Sequence, residues 1–265
     1  MMIKQAMVAI GEAARKLFSN WGTLLLALLL YGLWIGAIYL FLTTREATTL
    51  QVVLSLVVYP LAAILLFAIL QALGLSAVRV GVGPGYKLKR ALKDGWKILL
   101  ISVPILLLAW LTIRGADWLE QYLVRQIYSA ETPTGKWKLT LVEWAETFLL
   151  YFVFPLWAIH WWIVAVRQGI WGALKATGRV WLRAFAPGSV MIYVLVVAVF
   201  GCLAWLCFFK GPKIADEWTE LYLFGGRVVL GLILVFLGWL LTLGAMAEWT
   251  ARREMAALDR PAEQA

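Results

Sequence analysis

One histidine, His160, stands in the run PLWAIHWWIVAVR, residues 155–167. It lies seven residues before Arg167, so a helix would carry it about 10 Å inside the boundary which that arginine marks. An ionisable group at such depth is by default a candidate proton relay, pigment or haem ligand, or substrate contact. The run offers it no carboxylate partner, and Trp157, Trp161 and Val164 share its helical face. A histidine hydrogen-bonded inside an aromatic layer is therefore the favoured reading, and His160 is kept as the intramembrane candidate site.

Other chemistry is thinly represented. Glu143 and Glu146, spaced i,i+3, share a face and could serve a metal or acid–base work. No histidine or aspartate joins them, and Lys136 and Lys138 stand near enough to neutralise them, so a solvated interfacial face is expected. Arg114 and Asp117 read as an interfacial ion pair. Cys202 and Cys207 are five apart in one apolar run, on different helical faces, and cannot pair with each other. One histidine and two separated cysteines cannot build a zinc site. The segment GVGPG (81–85) lacks the lysine and serine or threonine of a phosphate loop and the strand–helix setting of a dinucleotide site, and reads as a connector. No hydrolase, metalloprotease or redox motif occurs. The expectation is no catalytic residue, no metal, no cofactor and no enzymatic activity.

Cations are the more informative residues. The run YKLKRALKDGWK (86–97) sets Lys87, Lys89, Arg90, Lys93 and Lys97 against one acid, Asp94. Lys175, Arg179 and Arg183 follow at steps of four, on one helical face. Basic clusters beside a membrane span attract anionic lipid headgroups, at about 1 kcal/mol per residue near the surface. These eight residues are the expected lipid contacts, and the same charges would also set topology.

The elements that position these residues follow from composition. The chain has 265 residues, 63% hydrophobic and 15% charged, against about half and about a quarter in soluble domains. It reads as an all-α polytopic integral membrane protein forming one transmembrane domain, 1–265. Six spans are expected at about 21–42, 50–78, 98–113, 147–166, 186–209 and 228–247. The third is short of the roughly 20 residues a crossing needs, and five spans with a re-entrant segment is the alternative. The first run begins too late and runs too long for a cleaved signal peptide and reads as a retained helix.

The net charge of +9 could suggest nucleic acid, but its distribution argues for orientation instead. With the N-terminus inside, inner segments carry 16 Lys or Arg and outer segments 8. That bias predicts both termini in the cytoplasm. The expected partners are anionic lipid at the cytoplasmic face and a membrane protein, with no nucleic acid.

A short basic segment recurs at a spacing of 82: AIGEAARK (9–16), ALKDGWKI (91–98) and ALKATGRV (173–180). Ala9, Ala91 and Ala173 fall in register, and Gly22, Pro104 and Pro187 follow as helix disruptors. Three units result, 1–78, 79–166 and 167–265, each a basic amphipathic inner-surface helix, a bend and a two-helix hairpin. The even spans break the register, since Pro60 and Pro155 are 95 apart.

This layout resembles the six-helix bacterial membrane proteins typified by the membrane domain attached to some glycerophosphodiester phosphodiesterases. The resemblance rests on layout, without a diagnostic motif, so no hydrolase residue is carried over. The function expected is a non-catalytic accessory or organising component that packs partners and anionic lipid. The alternative is a small-solute transporter or channel with its path between the hairpins.

Overall fold

A computed structural model describes residues 2–45, 47–78, 81–128, 135–211 and 217–258. Arg79, Lys213 and Arg260, which enter the charge asymmetry, lie outside the described residues. Every element is helical, with no strand among the described residues. Helices α1 (Met2–Phe18), α2 (Trp21–Thr43), α3 (Thr49–Val53) and α4 (Tyr59–Ala77) come first. Then follow α5 (Pro84–Tyr128), α6 (Trp137–Phe148), α7 (Phe154–Lys175), α8 (Thr177–Ala184), α9 (Pro187–Phe209) and α10 (Glu217–Leu258). Six helical stretches are long and apolar enough to cross a membrane: Trp21–Thr43, Thr49–Ala77, Pro84–Ile127, Trp137–Lys175, Pro187–Phe209 and Trp218–Arg253.

The third stretch differs from its expected bounds. The basic run 84–97 and the apolar run after it form one helix of 45 residues, and Pro104 sits inside it. Both runs share a helical period and nothing between them breaks a helix. Pro104 forfeits one backbone bond without ending the element, as happens in membrane helices. The expected separate surface helix and bend are therefore absent at this position. The disruptors elsewhere act as helix starts. Asn20 caps α2, its side chain accepting from the Thr23 hydroxyl at 2.8 Å, so the break precedes Gly22. Pro187 opens the first turn of α9, where its missing N–H costs nothing.

Two spans contain a π turn, Leu54–Val58 and Leu149–Val153, each just ahead of a proline. The Tyr59 N–H bonds back five residues to Leu54 O, and the Phe154 N–H likewise to Leu149 O. Pro60 and Pro155 cannot donate, and their rings crowd the carbonyl four residues back; one widened turn relieves both problems. The 95-residue offset that broke the 82-residue register thus marks a feature common to LSLVVYP (54–60) and LLYFVFP (149–155).

Contacts divide the chain at Leu99/Leu100 and Phe185/Ala186 into two compact units. These boundaries do not follow the expected repeat boundaries at 78/79 and 166/167. In the first unit α2 packs on α4, α9 on α10, α4 on α10, and α1 on α2, α9 and α10. Small residues permit these approaches, as expected where lipid removes the ordinary hydrophobic drive between helices. A Cβ on Gly238 would lie 2.6 Å from Phe200, and one on Gly188 would lie 2.2 Å from the Trp249 ring. Helix α1 presents Ala6, Ala9, Ala13 and Leu17 inward, all at most 2% exposed, while Ile3 and Met7 face outward. Its buried face is thus an alanine stripe, with Ile10 and Ala14 half-buried beside it. In the second unit α7 packs on α8.

Candidate functional site

The three basic segments share one structural property. Ala9, Ala91 and Ala173, in register at 82, are all at most 1% exposed. Close by, a Cβ on Gly95 would touch the Ile69 backbone at 3.5 Å, and Ala173 O accepts the Trp161 Nε1–H at 3.0 Å. The cations around these alanines differ sharply.

On α1, Lys16 pairs with Glu248 at 2.8 Å, and Arg252 pairs with Glu12 and, at 3.6 Å, with Glu248. This network joins α1 to α10. On α5, Asp94 lies buried between Lys97 at 2.5 Å and Arg90 at 3.5 Å. Lys87 is 1% exposed and its Nζ donates to Ala77 O at 2.9 Å, at the C-terminal end of α4. A cation there satisfies an orphan carbonyl and complements the helix dipole. Its ammonium is thus engaged inside the protein, where the sequence expectation placed a lipid contact. Only Lys89 and Lys93 of that segment are fully outward.

The third segment is built otherwise. Helix α7 breaks at Gly169, whose φ of 80° with ψ of 174° is a conformation open to glycine and strained for other residues. The chain turns there, runs to Lys175, and restarts as α8. Trp181 of α8 meets Trp157 edge-on at 5.0 Å, and Trp157 stacks on Trp161 at 5.0 Å. This aromatic joint fixes α8 against α7. The corner encloses a half-open cavity of about 230 Å³. Val164, Gln168, Gly172, Lys175, Arg179 and Arg183 line it.

Three of the expected lipid contacts are therefore brought onto one cavity. Lys175 and Arg179 have no carboxylate partner among the described residues. The reason lies in the sequence, because no Asp or Glu occurs anywhere in 147–215. That acid-free interval is the signal that separates this segment from the other two. Gln168 and Gly169 escaped sequence reasoning, since a glutamine and a lone glycine carry no signal without the turn.

No protein-family model, no curated protein and no solved structure matches this chain.

His160 is 3% exposed, and its Nδ1 lies 3.0 Å from Leu156 O, one turn back on its own helix. It sits one turn from Val164 on the cavity side of α7. Trp162 Nε1 donates to Ser102 Oγ at 2.8 Å, tying α5 to α7 within the second unit. Glu143 is outward and Glu146 half-buried on α6. Among the described residues no three His, Cys, Asp or Glu converge as metal ligands. Arg114 lies 5.9 Å from the Trp110 ring, and no ion pair joins it to Asp117. Helical side chains lean toward the N-terminus, so Arg114 reaches back to Trp110 and away from Asp117. Cys202 and Cys207 are free thiols.

Proposed function

We propose that this chain is a non-catalytic membrane component that packs against a partner membrane protein and holds the anionic inner leaflet. The observation that carries this reading is the pairing of outward cations with outward apolar side chains on the basic segments. Lys89 and Lys93 stand beside Leu92 and Trp96, which are 55% and 53% exposed. Lys175 and Arg179 stand beside Trp171, Leu174 and Leu182, exposed at 77%, 39% and 74%. Such surfaces suit the headgroup boundary, with apolar groups dipping inward and cations meeting lipid phosphates.

On this reading the six spans form three hairpins with the basic segments on the cytoplasmic side. The two-to-one excess of Lys and Arg on that side supports the orientation. The membrane is of the bacterial inner type, and the likeness in layout to the phosphodiesterase-attached membrane domains belongs to the same reading. In sealed vesicles, a cysteine placed at Gly135 is labelled from the outer face alone; labelling from the cytoplasmic side alone overturns the orientation. For the role itself, gentle extraction from the native membrane recovers a second protein at fixed stoichiometry. A chain that elutes alone with a bound solute overturns the accessory role.

That outcome favours a second reading, a small-solute transporter. Its support is His160, buried one turn below a cavity whose lining is cationic.

A further inference from the structure

We propose that the N-terminus of α9 binds a single phosphate group, held by the Gly188 N–H, the Trp249 indole N–H and the Arg253 guanidinium. The inference deepens the leaflet-holding reading and rests on it for the side of the membrane. It goes further by assigning one defined site, inside the first compact unit, to a helix start that carries no cation of its own.

Unpaired donors are the first argument. Helix α2 starts on the Asn20 cap and α3 on the Thr48–Gln51 capping box, whereas α9 starts on Ala186, whose methyl group accepts nothing. Pro187 brings no N–H, and the Ser189 and Val190 N–H groups both bond back to Ala186 O, at 2.9 and 3.1 Å. Gly188 is buried, and its N–H has no partner among the described residues. A second unpaired donor lies against it. Trp249 is 8% exposed, and its Nε1 also lacks a partner among the described residues. A Cβ on Gly188 would lie 2.2 Å from Cζ2 of this ring and 2.7 Å from Cε2, the atom bonded to Nε1. The indole edge that carries the N–H is thus turned toward the first turn of α9. Buried N–H groups are almost always paired, so two neighbours without a partner mark a place for an acceptor.

Charge makes that acceptor an anion. The N-terminus of this 23-residue helix carries the positive end of its dipole. Arg253, one turn after Trp249 on α10, lies over the indole ring at 5.4 Å and has no ion pair among the described residues. A guanidinium keeps its N–H donors available for an oxygen while its charge rests on a ring. The neighbouring acids are already engaged, Glu248 and Glu12 by Lys16 and Arg252. A phosphate offers several oxygens, one for the two buried N–H groups and others for Arg253. Binding moves the exposed Arg253 side chain from the ring onto the phosphate, which uncovers the indole edge. Because Arg253 is on the exposed side, the phosphate can belong to a lipid headgroup or to a free phosphate ester.

Native mass spectrometry of the full chain, delipidated stepwise and offered phosphatidylglycerol, tests the site. The wild-type protein retains one lipid after the others have gone. Arg253→Gln lowers that retention about tenfold, as expected for loss of a charge-assisted bond. Trp249→Phe, which keeps a ring and loses the N–H, lowers it about threefold. Ala186→Asp supplies an internal cap that takes the ligand's place, since the extended backbone at 186 suits a capping residue. It lowers retention about tenfold while raising the melting temperature of the delipidated protein, which separates lost binding from a folding defect. Lys210→Gln removes a cation from over Trp205 at the other end of α9 and leaves retention unchanged. Inorganic phosphate separates the sources. One-to-one binding by the wild type, lost in the same three variants, assigns a free phosphate ester; a retained lipid indifferent to phosphate assigns the headgroup. A wild type that holds neither, or binding unchanged in any of the three variants, overturns the site. Failure to recover a partner protein overturns the accessory role while leaving these measurements standing.

Discussion

The second and third basic segments carry the same kinds of residue and use them in opposite directions. On α5, cations turn into the protein: Lys87 closes the end of α4, and Arg90 and Lys97 surround a buried Asp94. At the α7–α8 corner, Lys175, Arg179 and Arg183 line a half-open cavity without an acid between residues 147 and 215. One aspartate and one nearby helix end separate the two cases. A cation next to a fixed internal acceptor becomes part of the structure, while Lys175 and Arg179, which have no carboxylate partner among the described residues, face an open cavity. The first outcome shows up as stability and the second as binding.

Stability measurements press hardest on this contrast. Lys87→Ala removes a fully buried stem and strands the Ala77 carbonyl. The expected loss in reversible unfolding from detergent is about 3 kcal/mol. A Lys87→Ala protein as stable as the wild type would place that ammonium outside the structure and erase the distinction.

Asp94→Asn converts the α5 segment toward the type of the third. Removing a mostly buried carboxylate from between two part-exposed cations costs about 1–2 kcal/mol after allowance for solvent screening. Arg90 and Lys97 then lose that counter-charge, and native mass spectrometry should detect more retained anionic lipid than in the wild type. Stability lost with no lipid gained would mean that exposed charge on α5 is insufficient to hold a headgroup.

The smallest effect is expected at His160. Its Nδ1 bond runs to Leu156 on the same helix, so it ties no two elements together through that contact. His160→Phe keeps a flat ring beside Trp157, Trp161 and Trp162. It should cost about 0.6 kcal/mol, the average for side-chain hydrogen bonds in a membrane bundle. Recovery of the partner protein should persist. Loss of all function in a stable, correctly inserted His160→Phe protein would instead select the transporter reading.

Six spans were legible because apolar runs of crossing length have one stable solution in lipid, the helix. Boundaries were less so where an amphipathic run flows into an apolar one, as at 84–128, since period and propensity continue across the change of environment. Pro60 and Pro155 announced a local disturbance, yet only backbone hydrogen bonding identified it as a π turn. The 82-residue spacing located the alanines at which the segments pack. It did not give the direction in which the intervening cations point.

Composition and spacing by themselves determined the helical membrane character and the acid-free stretch 147–215. They also placed Lys175, Arg179 and Arg183 on one face. Tertiary structure alone decided that Lys87 serves as an internal cap, that α1 buries alanines, and that Gln168 joins the three cations across the turn at Gly169. The physical reason is common to all three. A side chain's role depends on which acceptor, helix end or empty space lies within its few ångströms of reach, and packing between parts of the chain that are not neighbours in sequence supplies those surroundings.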